Sequence, residues 1–129
     1  MREPVTDRLD HLVLTVADVE ASVLFYRRVL GLKEVRSGDG RVALAFGSQK
    51  INLHPIGSAI EPRALRPTAG SADFCFVSSL SVKEILDHLR ACEVPVECGP
   101  VARMGAVGPM MSVYFRDPDR NLIELAVYD

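Results

Sequence analysis

An internal repeat limits the folds that this chain can adopt. Residues 9–16 are rich in Leu and Val and predict a strand, after which apolar residues three and four positions apart predict a helix that ends at Gly31. Three short strands are predicted after this helix. The same order returns 62 residues later, where Asp73 takes the place of His11. The chain therefore predicts two successive β-α-β-β-β units, and a repeat of this length is a supersecondary unit.

Proline and glycine mark the boundaries of the two units. Residues 56–70 are a predicted linker, because their prolines cannot donate to a strand ladder and their glycines resist ordering. The linker separates a first module, residues 9–55, from a second module, residues 71–129, and residues 1–8 form an N-terminal extension. A module of about 60 residues buries little surface alone. The predicted fold is therefore α+β, with two paired βαβββ modules that form a half-open, barrel-like sheet with helices outside.

Two segments of the second module receive specific predictions. Residues 94–97 are expected to begin the sixth strand, which then bends past Gly99 and Pro100. Residues 103–109 are glycine-rich and are expected to precede the seventh strand, where such a segment can close over a pocket mouth.

Composition and charge argue against several classes of protein. Fifteen Lys and Arg against 17 Asp and Glu give a net charge of −2, which is not the electrostatic footprint of a nucleic-acid binder. No apolar run approaches the roughly 20 residues that cross a bilayer, and residues 1–8 lack the apolar region of a signal peptide. Three cysteines without CxxC spacing argue against a disulfide framework or a zinc knuckle. We expect a cytoplasmic homodimer that binds a small-molecule substrate, and neither nucleic acid nor a membrane.

Polar residues interrupt the predicted strands at related positions in the two modules. Because side chains alternate across a strand, each strand has one apolar face for a helix and a second face that carries a polar residue. The residues on these second faces are His11, Asn52, His54, Asp73 and Glu124. A buried, unpaired imidazole or carboxylate is costly, so such groups find partners or bind metal.

Two imidazoles and a carboxylate suit a divalent transition metal such as zinc or iron(II). The predicted ligands are His11, His54 and Glu124, with Asp73 orienting a ligand or acting as a base. In the competing arrangement Asp73 binds the metal directly and His54 points to solvent at the end of the sheet. Each residue also has an interpretation without metal binding, since a strand His is commonly a surface residue and Asp73 could cap a turn.

Two motifs carry a family resemblance over residues 9–128. The opening motif consists of Asp10-His11-Leu12, Val16, Asp18, Ser22, Phe25-Tyr26 and Val29-Leu30-Gly31. The closing motif consists of Arg116-Asp117-Pro118-Asp119 and Asn121-Leu122-Ile123-Glu124-Leu125. Together they resemble the vicinal oxygen chelate superfamily, which includes glyoxalase I, extradiol dioxygenases, methylmalonyl-CoA epimerase, and the fosfomycin- and bleomycin-resistance proteins. A narrower resemblance is to the small glyoxalase-domain-containing proteins, of the type of glyoxalase-domain-containing protein 5. It is carried by residues 49–54, Glu61-Pro62 and the stretch from Gly99 onward.

The resemblance implies a metal site in which this chain departs from the family pattern. The family's first-strand and last-strand ligands fall on His11 and Glu124. Two other ligand positions hold Asp73, where His is common, and Asn52, where Glu or Gln is common. Either His54 enters as the third ligand, or the metal site is weak or lost. Arg120 replaces a usual turn glycine, which predicts a turn without positive φ there.

Three functions follow from this resemblance. The first is a glyoxalase-like lyase or isomerase with a divalent ion (zinc, nickel, manganese or iron), in which Glu124 or Asp73 transfers the proton. Asn52, Arg103 and Tyr114 are its candidate substrate contacts. The second is an iron-dependent extradiol-type dioxygenase, and the third is a non-catalytic module that binds a drug or metabolite. The superfamily fold hosts unrelated reactions, so the fold does not choose among them.

Overall fold

The order of helices and strands is the one that the repeat predicts. The computed structural model describes residues 3–129, so residues 1 and 2 of the predicted N-terminal extension lie outside the described residues. The first module contains β1 (His11–Val16), α1 (Val19–Leu30), β2 (Lys33–Arg36), β3 (Val42–Phe46) and β4 (Gln49–Pro55). The second contains β5 (Asp73–Val77), α2 (Val82–Ala91), β6 (Cys98–Gly105), β7 (Gly108–Arg116) and β8 (Leu122–Tyr128).

Each module builds its own four-stranded sheet. The strand orders are β1-β4-β3-β2 and β5-β8-β7-β6, so both sheets repeat one topology. The first strand of each module runs parallel to the last, and the remaining neighbours are antiparallel. The connection between the parallel strands of each module passes through the helix and two further strands, and parallel neighbours need such a long connection. The predicted α+β class with two βαβββ units is confirmed.

Local signals in the sequence fix the helix ends. The Asp18 side chain caps α1 by accepting a hydrogen bond from the Ala21 backbone N–H at 3.0 Å, and Gly31 ends the helix with φ +70°. At the start of α2, Ser81 and Glu84 form a capping box, in which each side chain accepts from the other residue's backbone N–H.

One apolar core joins the two modules on the helix side of both sheets. It contains buried residues of both helices and both sheets: Leu14, Val16, Val23, Val29, Leu44, Ile51, Leu53, Ile85, Leu89, Val113, Phe115, Ile123 and Leu125. The buried Tyr26 hydroxyl donates to Asp117 of the second module at 2.7 Å, and the Phe25 and Phe115 rings lie 6.4 Å apart. The chain thus uses its helix-facing surfaces to hold its own modules together.

Three details differ from the sequence prediction. Strand β6 begins at Cys98 instead of residue 94. It lies at the edge of its sheet, where Pro100 has no inner ladder bond to break. Residues 103–109 form the end of the β6–β7 hairpin, with Gly105 opposite Gly108, and are not a segment that precedes β7. Arg120 has φ +68°, so the turn does require positive φ and accommodates arginine there.

Candidate functional site

The face of each sheet that is turned away from the helices is open. In β1, Leu14 on the helix side is 3% exposed, whereas neighbouring Val13 on the other side is 48% exposed. The register assigns to the open face of the first sheet His11, Val13, Thr15, Lys50, Asn52 and His54. It assigns to the open face of the second sheet Asp73, Cys75, Val77, Ser112, Tyr114, Glu124 and Ala126. All the predicted metal ligands therefore lie on these two open faces.

His11 is the first residue of β1, and its neighbour orients it. The Nδ1 atom of the His11 ring lies 2.9 Å from Asp10 Oδ1. This hydrogen bond is the main cause that lowers the pKa of Asp10. An ionised carboxylate only accepts, so Nδ1 carries the proton and donates it, which leaves Nε2 as the basic nitrogen. A carboxylate behind a histidine is the arrangement that fixes a metal-binding imidazole.

Glu124 lies in the middle of the second open face and has two polar neighbours. The Ser112 hydroxyl donates to Glu124 Oε2 at 2.6 Å from the adjacent strand. Cys75 pairs with Glu124 in the register between β5 and β8. Partial burial, aided by the negative charge of Glu124, raises the pKa of the Cys75 thiol to about 11. The thiol therefore stays protonated near neutral pH and adds no second charge beside the carboxylate.

The predicted substrate contacts Arg103 and Tyr114 lie together near Glu124. The Arg103 Nε–H donates to the Tyr114 hydroxyl at 2.9 Å, and the guanidinium carbon lies 5.5 Å from the ring centroid. This hydrogen bond is the main cause that raises the pKa of Arg103. Tyr114 is directly opposite Glu124 in the register between β7 and β8. The second open face thus combines a carboxylate, a phenol and a guanidinium.

His54 and Asn52 are half-buried neighbours on the open face of the first sheet, and they line a common cavity of about 280 Å³. His54 pairs with Thr15, four residues along β1 from His11, which is roughly 13 Å at 3.3 Å per residue. Side chains that both point away from one sheet do not bridge this distance to a single ion. Burial, with a smaller contribution from the Arg41 charge, lowers the pKa of His54.

Asp73 begins β5 just as His11 begins β1, and it is exposed on the second open face. It lies two residues before Cys75 on the same strand, and Cys75 is the residue that pairs with Glu124, so Asp73 is a diagonal neighbour of Glu124. By symmetry, the pair Asp73 and Glu124 corresponds to the pair His11 and Asn52.

A single chain does not assemble the predicted ligand set. Within residues 3–129, no three His, Cys, Asp or Glu side chains come together as a metal site requires. The donors are nevertheless nitrogen and oxygen atoms suited to a divalent transition metal, divided between two exposed faces. The residues fit such an ion only if the open face of one chain's first sheet meets the open face of another chain's second sheet. The metal-ligand role of His54 and the orienting or base role of Asp73 stay predictions.

Sequence reasoning missed several residues that belong to this geometry. Asp10 behind His11, and Ser112 and Cys75 beside Glu124, were not predicted as site residues. The alternation of side chains places Cys75 on the face of Asp73 and Ser112 on the face of Tyr114, so the period of two could have identified both. The hydrogen bond between Ser112 and Glu124 depends on register and has no local sequence pattern.

Comparisons with known proteins place the chain among proteins of one superfamily. The sequence profile described as Glyoxalase/Bleomycin resistance protein/Dioxygenase superfamily matches residues 8–125. The virulence protein STM3117 of Salmonella typhimurium is 48% identical over 124 residues, which cover 96% of this chain and 86% of that protein. A glyoxalase domain-containing protein, RDO1 of Mycosarcoma maydis, is 53% identical over 120 residues, or 93% of this chain and 68% of that protein.

Solved structures agree with these sequence matches. The crystal structure of STM3117 superimposes with a TM-score of 0.95, covering 98% of this chain and all of that chain at 47% identity. A lactoylglutathione lyase from Agrobacterium tumefaciens superimposes with a TM-score of 0.72 at 28% identity, over 97% of this chain and 95% of that chain.

Neither helix between residues 3 and 129 is long and apolar enough to cross a membrane.

Proposed function

The chain belongs to the glyoxalase/bleomycin resistance protein/dioxygenase superfamily, and from that premise we propose that it is a metal-dependent, glyoxalase-like lyase or isomerase. Its substrate is a small molecule with vicinal oxygens. The active form is a homodimer in which the open first sheet of one chain faces the open second sheet of the other. The observation that carries this proposal is the division of the donor side chains between two exposed faces of one chain.

His11 of one chain, with Asp73 and Glu124 of the other, would hold the ion. We assign the third ligand to Asp73 instead of His54. The register separates His54 from His11 by roughly 13 Å, whereas Asp73 occupies the position symmetric to His11. Asp10 supports His11 from behind, and Ser112 holds one oxygen of Glu124. Each ligand on this list except Asp73 therefore has a hydrogen-bond partner that orients it.

The proton transfer is assigned to Glu124. A divalent ion held by these residues would supply Lewis-acid stabilisation of negative charge on the vicinal oxygens. The Glu124 carboxylate takes a proton from the carbon that bears the hydroxyl group and returns it to the carbonyl carbon, while the hydroxyl proton passes to the other oxygen, which completes an isomerisation. Ser112 fixes Oε2, so the carboxylate is oriented before the substrate arrives. Arg103 and Tyr114, joined by their hydrogen bond, contact the substrate beside this carboxylate.

Metal content tests the proposal directly. The protein purified without chelator is expected to hold one divalent ion per chain by elemental analysis. His11→Ala, Asp73→Ala and Glu124→Gln should each lower the metal affinity at least tenfold, because each removes a ligand. His54→Ala is the matched control and should bind metal as the parent protein does.

The reaction has its own readout. Small α-hydroxycarbonyl compounds are incubated with the metal-loaded protein in D₂O, and exchange at the carbon beside the carbonyl is followed by NMR. Exchange that disappears in Glu124→Gln at a metal concentration high enough to saturate the variant supports the proton transfer. Metal affinity that survives Asp73→Ala but collapses in His54→Ala would assign the third ligand to His54 instead.

Non-catalytic capture of a small molecule is the second candidate. Asn52 favours it, because a neutral amide stands where a stronger metal ligand is usual and lines a cavity with His54. A protein that holds no metal, and whose small-molecule binding is unaffected by chelator, would support this candidate over the enzyme.

A further inference from the structure

His54 lies where three cavities on the open face of the first sheet adjoin. The first cavity, of about 280 Å³, extends toward β2 and β3, and its polar lining includes Arg41, Lys50 and Asn52. The second, of about 240 Å³, lies under the linker after β4, and its polar lining includes Thr15, Ser58 and Arg63. The third, of about 170 Å³, is lined by Arg63, Arg66 and Thr68 among others. His54 borders all three, so one imidazole is accessible from each of them.

Positive charge surrounds this imidazole from two directions. Arg41 and Lys50 approach from the sheet, and Arg63 and Arg66 approach from the linker. Two acidic residues partly balance them. Asp39 lines the first cavity and pairs with Arg41 at 3.3 Å, and Glu61 pairs with Arg63 at 3.4 Å. Four cations against two carboxylates leave the region with a positive balance.

The Arg63 side chain is held in place before any ligand is present. Its Nη1–H donates to the Ser58 backbone carbonyl at 2.6 Å, and its Nε faces Glu61. These contacts direct a guanidinium along the wall of two of the cavities that reach His54. A fixed guanidinium binds carboxylates and phosphates well because its donors match the spacing of their oxygens.

We infer that the region around His54, Arg41 and Arg63 binds an oxyanion, a carboxylate or phosphoryl group, carried by the substrate of the proposed enzyme. This inference rests on the proposed function, since it assigns the charged end of that substrate. Along the strand direction, His54 lies two residues from Asn52 and four residues from the level of His11. The substrate class is thus a small molecule with vicinal oxygens at one end and an acidic group roughly 7 to 13 Å away.

Phosphate binding to the chelator-treated protein tests the inference. Inorganic phosphate is titrated at constant ionic strength, and the ring signals of His54 are followed by NMR. We expect saturable shifts with a millimolar Kd. Arg63→Gln and Arg41→Gln should each raise that Kd about five- to tenfold, because each removes a charge-assisted hydrogen bond. Arg90→Gln, on the exposed surface of α2, is the matched control and should leave the Kd unchanged.

Two outcomes would overturn the inference. One is the absence of saturable shifts at His54, and the other is an equal loss of affinity in Arg90→Gln and Arg63→Gln, which would mean that phosphate senses only the overall charge. His11→Ala separates this test from the test of the proposed function. That variant should lose metal while binding phosphate normally, so metal content reports on the enzyme and phosphate affinity reports on the oxyanion site.

Discussion

At the scale of single residues, the Tyr26 side chain couples the two modules through a buried carboxylate. Its hydroxyl donates to Asp117 Oδ2 at 2.7 Å, and the Asn121 side-chain amide donates to the same oxygen at 2.8 Å. The backbone N–H groups of Asp119 and Asn121 donate to Oδ1, each at 2.9 Å. A carboxylate that is buried in this way is stable only because every oxygen is satisfied.

Replacing Tyr26 by Phe should therefore destabilise the protein by about 2 kcal/mol, because a hydrogen bond to a charged group is lost while the ring packing is kept. Urea unfolding measures this change. Tyr128→Phe is the matched control, since the Tyr128 hydroxyl accepts only a longer bond, 3.3 Å, from the Val107 backbone at an exposed hairpin end. A cost below about 0.5 kcal/mol is expected for the control. Equal costs would contradict the role given to Asp117.

The same substitution has a predictable pH dependence. Burial, with the nearby Asp117 charge, raises the pKa of Tyr26 well above its ordinary value of 10.0. The stability that Tyr26 contributes is complete below pH 10 and is lost above it, because only the unfolded chain then releases the phenolic proton. The difference between the parent protein and Tyr26→Phe should shrink as the pH rises past 10. A difference that is constant from pH 8 to 11 would contradict this account.

Arg120 gives a test of backbone conformation. Its φ of +68° costs an L-residue about 1 kcal/mol, which glycine does not incur. Arg120→Gly should therefore leave the stability unchanged or raise it by about 0.5 kcal/mol. The same change at Arg90, in the last turn of α2, should cost about 0.5 to 1 kcal/mol because glycine is a poor helix former. Thermal unfolding of both variants measures these changes in stability. A loss of stability in Arg120→Gly equal to that in Arg90→Gly would contradict the prediction.

Single residues also show how far sequence reasoning reaches into the site. Alternation along the strands was enough to name His11, Asp73 and Glu124 as candidates, because each is an ionisable residue in a largely apolar strand. It could not place His54 relative to His11, since that separation depends on the pairing of β1 with β4. Nor could it find Ser112 beside Glu124, a contact that depends on the register between β7 and β8.

At the scale of elements, the β6–β7 hairpin is where prediction and structure differ most. Pro100, Pro109 and several glycines are typical of loops, yet residues 98–116 form two long strands that meet at a tight turn. Prolines are tolerated because β6 is an edge strand and Pro109 lies next to the turn. Sequence patterns alone do not say which strand will be at an edge.

Gly105 has a packing role in this hairpin. A Cβ at position 105 would collide with the Tyr128 hydroxyl and would lie 2.7 Å from Met110 Sδ. Gly105→Ala should therefore cost about 1 kcal/mol, the low end of the range for overpacking, because only the ends of the Tyr128 and Met110 side chains have to shift. Gly38→Ala is the matched control, because a Cβ there would have no neighbour within 4 Å. Its effect should be below about 0.5 kcal/mol. Denaturant unfolding measures both, and equal effects would mean that Tyr128 moves aside freely.

At the scale of the whole molecule, the repeat predicted two modules that pair into a half-open, barrel-like sheet, but not whether that pairing occurs within one chain or between two. The helix-facing surfaces form the common core within the chain, and the faces that carry polar residues remain open. Hydrophobic patterning explains this choice, since the apolar strand faces and helix stripes bury more apolar surface together than either could alone. In the proposed enzyme, these polar faces bind the substrate and the second chain.

A site shared between two chains makes a prediction that a site within one chain does not. His11→Ala and Glu124→Gln homodimers should each lose metal binding. After unfolding and joint refolding, half of the dimers are mixed, and each mixed dimer contains one site with both His11 and Glu124 intact, because the two defects meet at the other site. Metal binding should therefore return to about a quarter of the parent value per chain. Light scattering should show a dimer at micromolar concentration. A monomer, or a mixture that recovers no metal, would contradict the shared site.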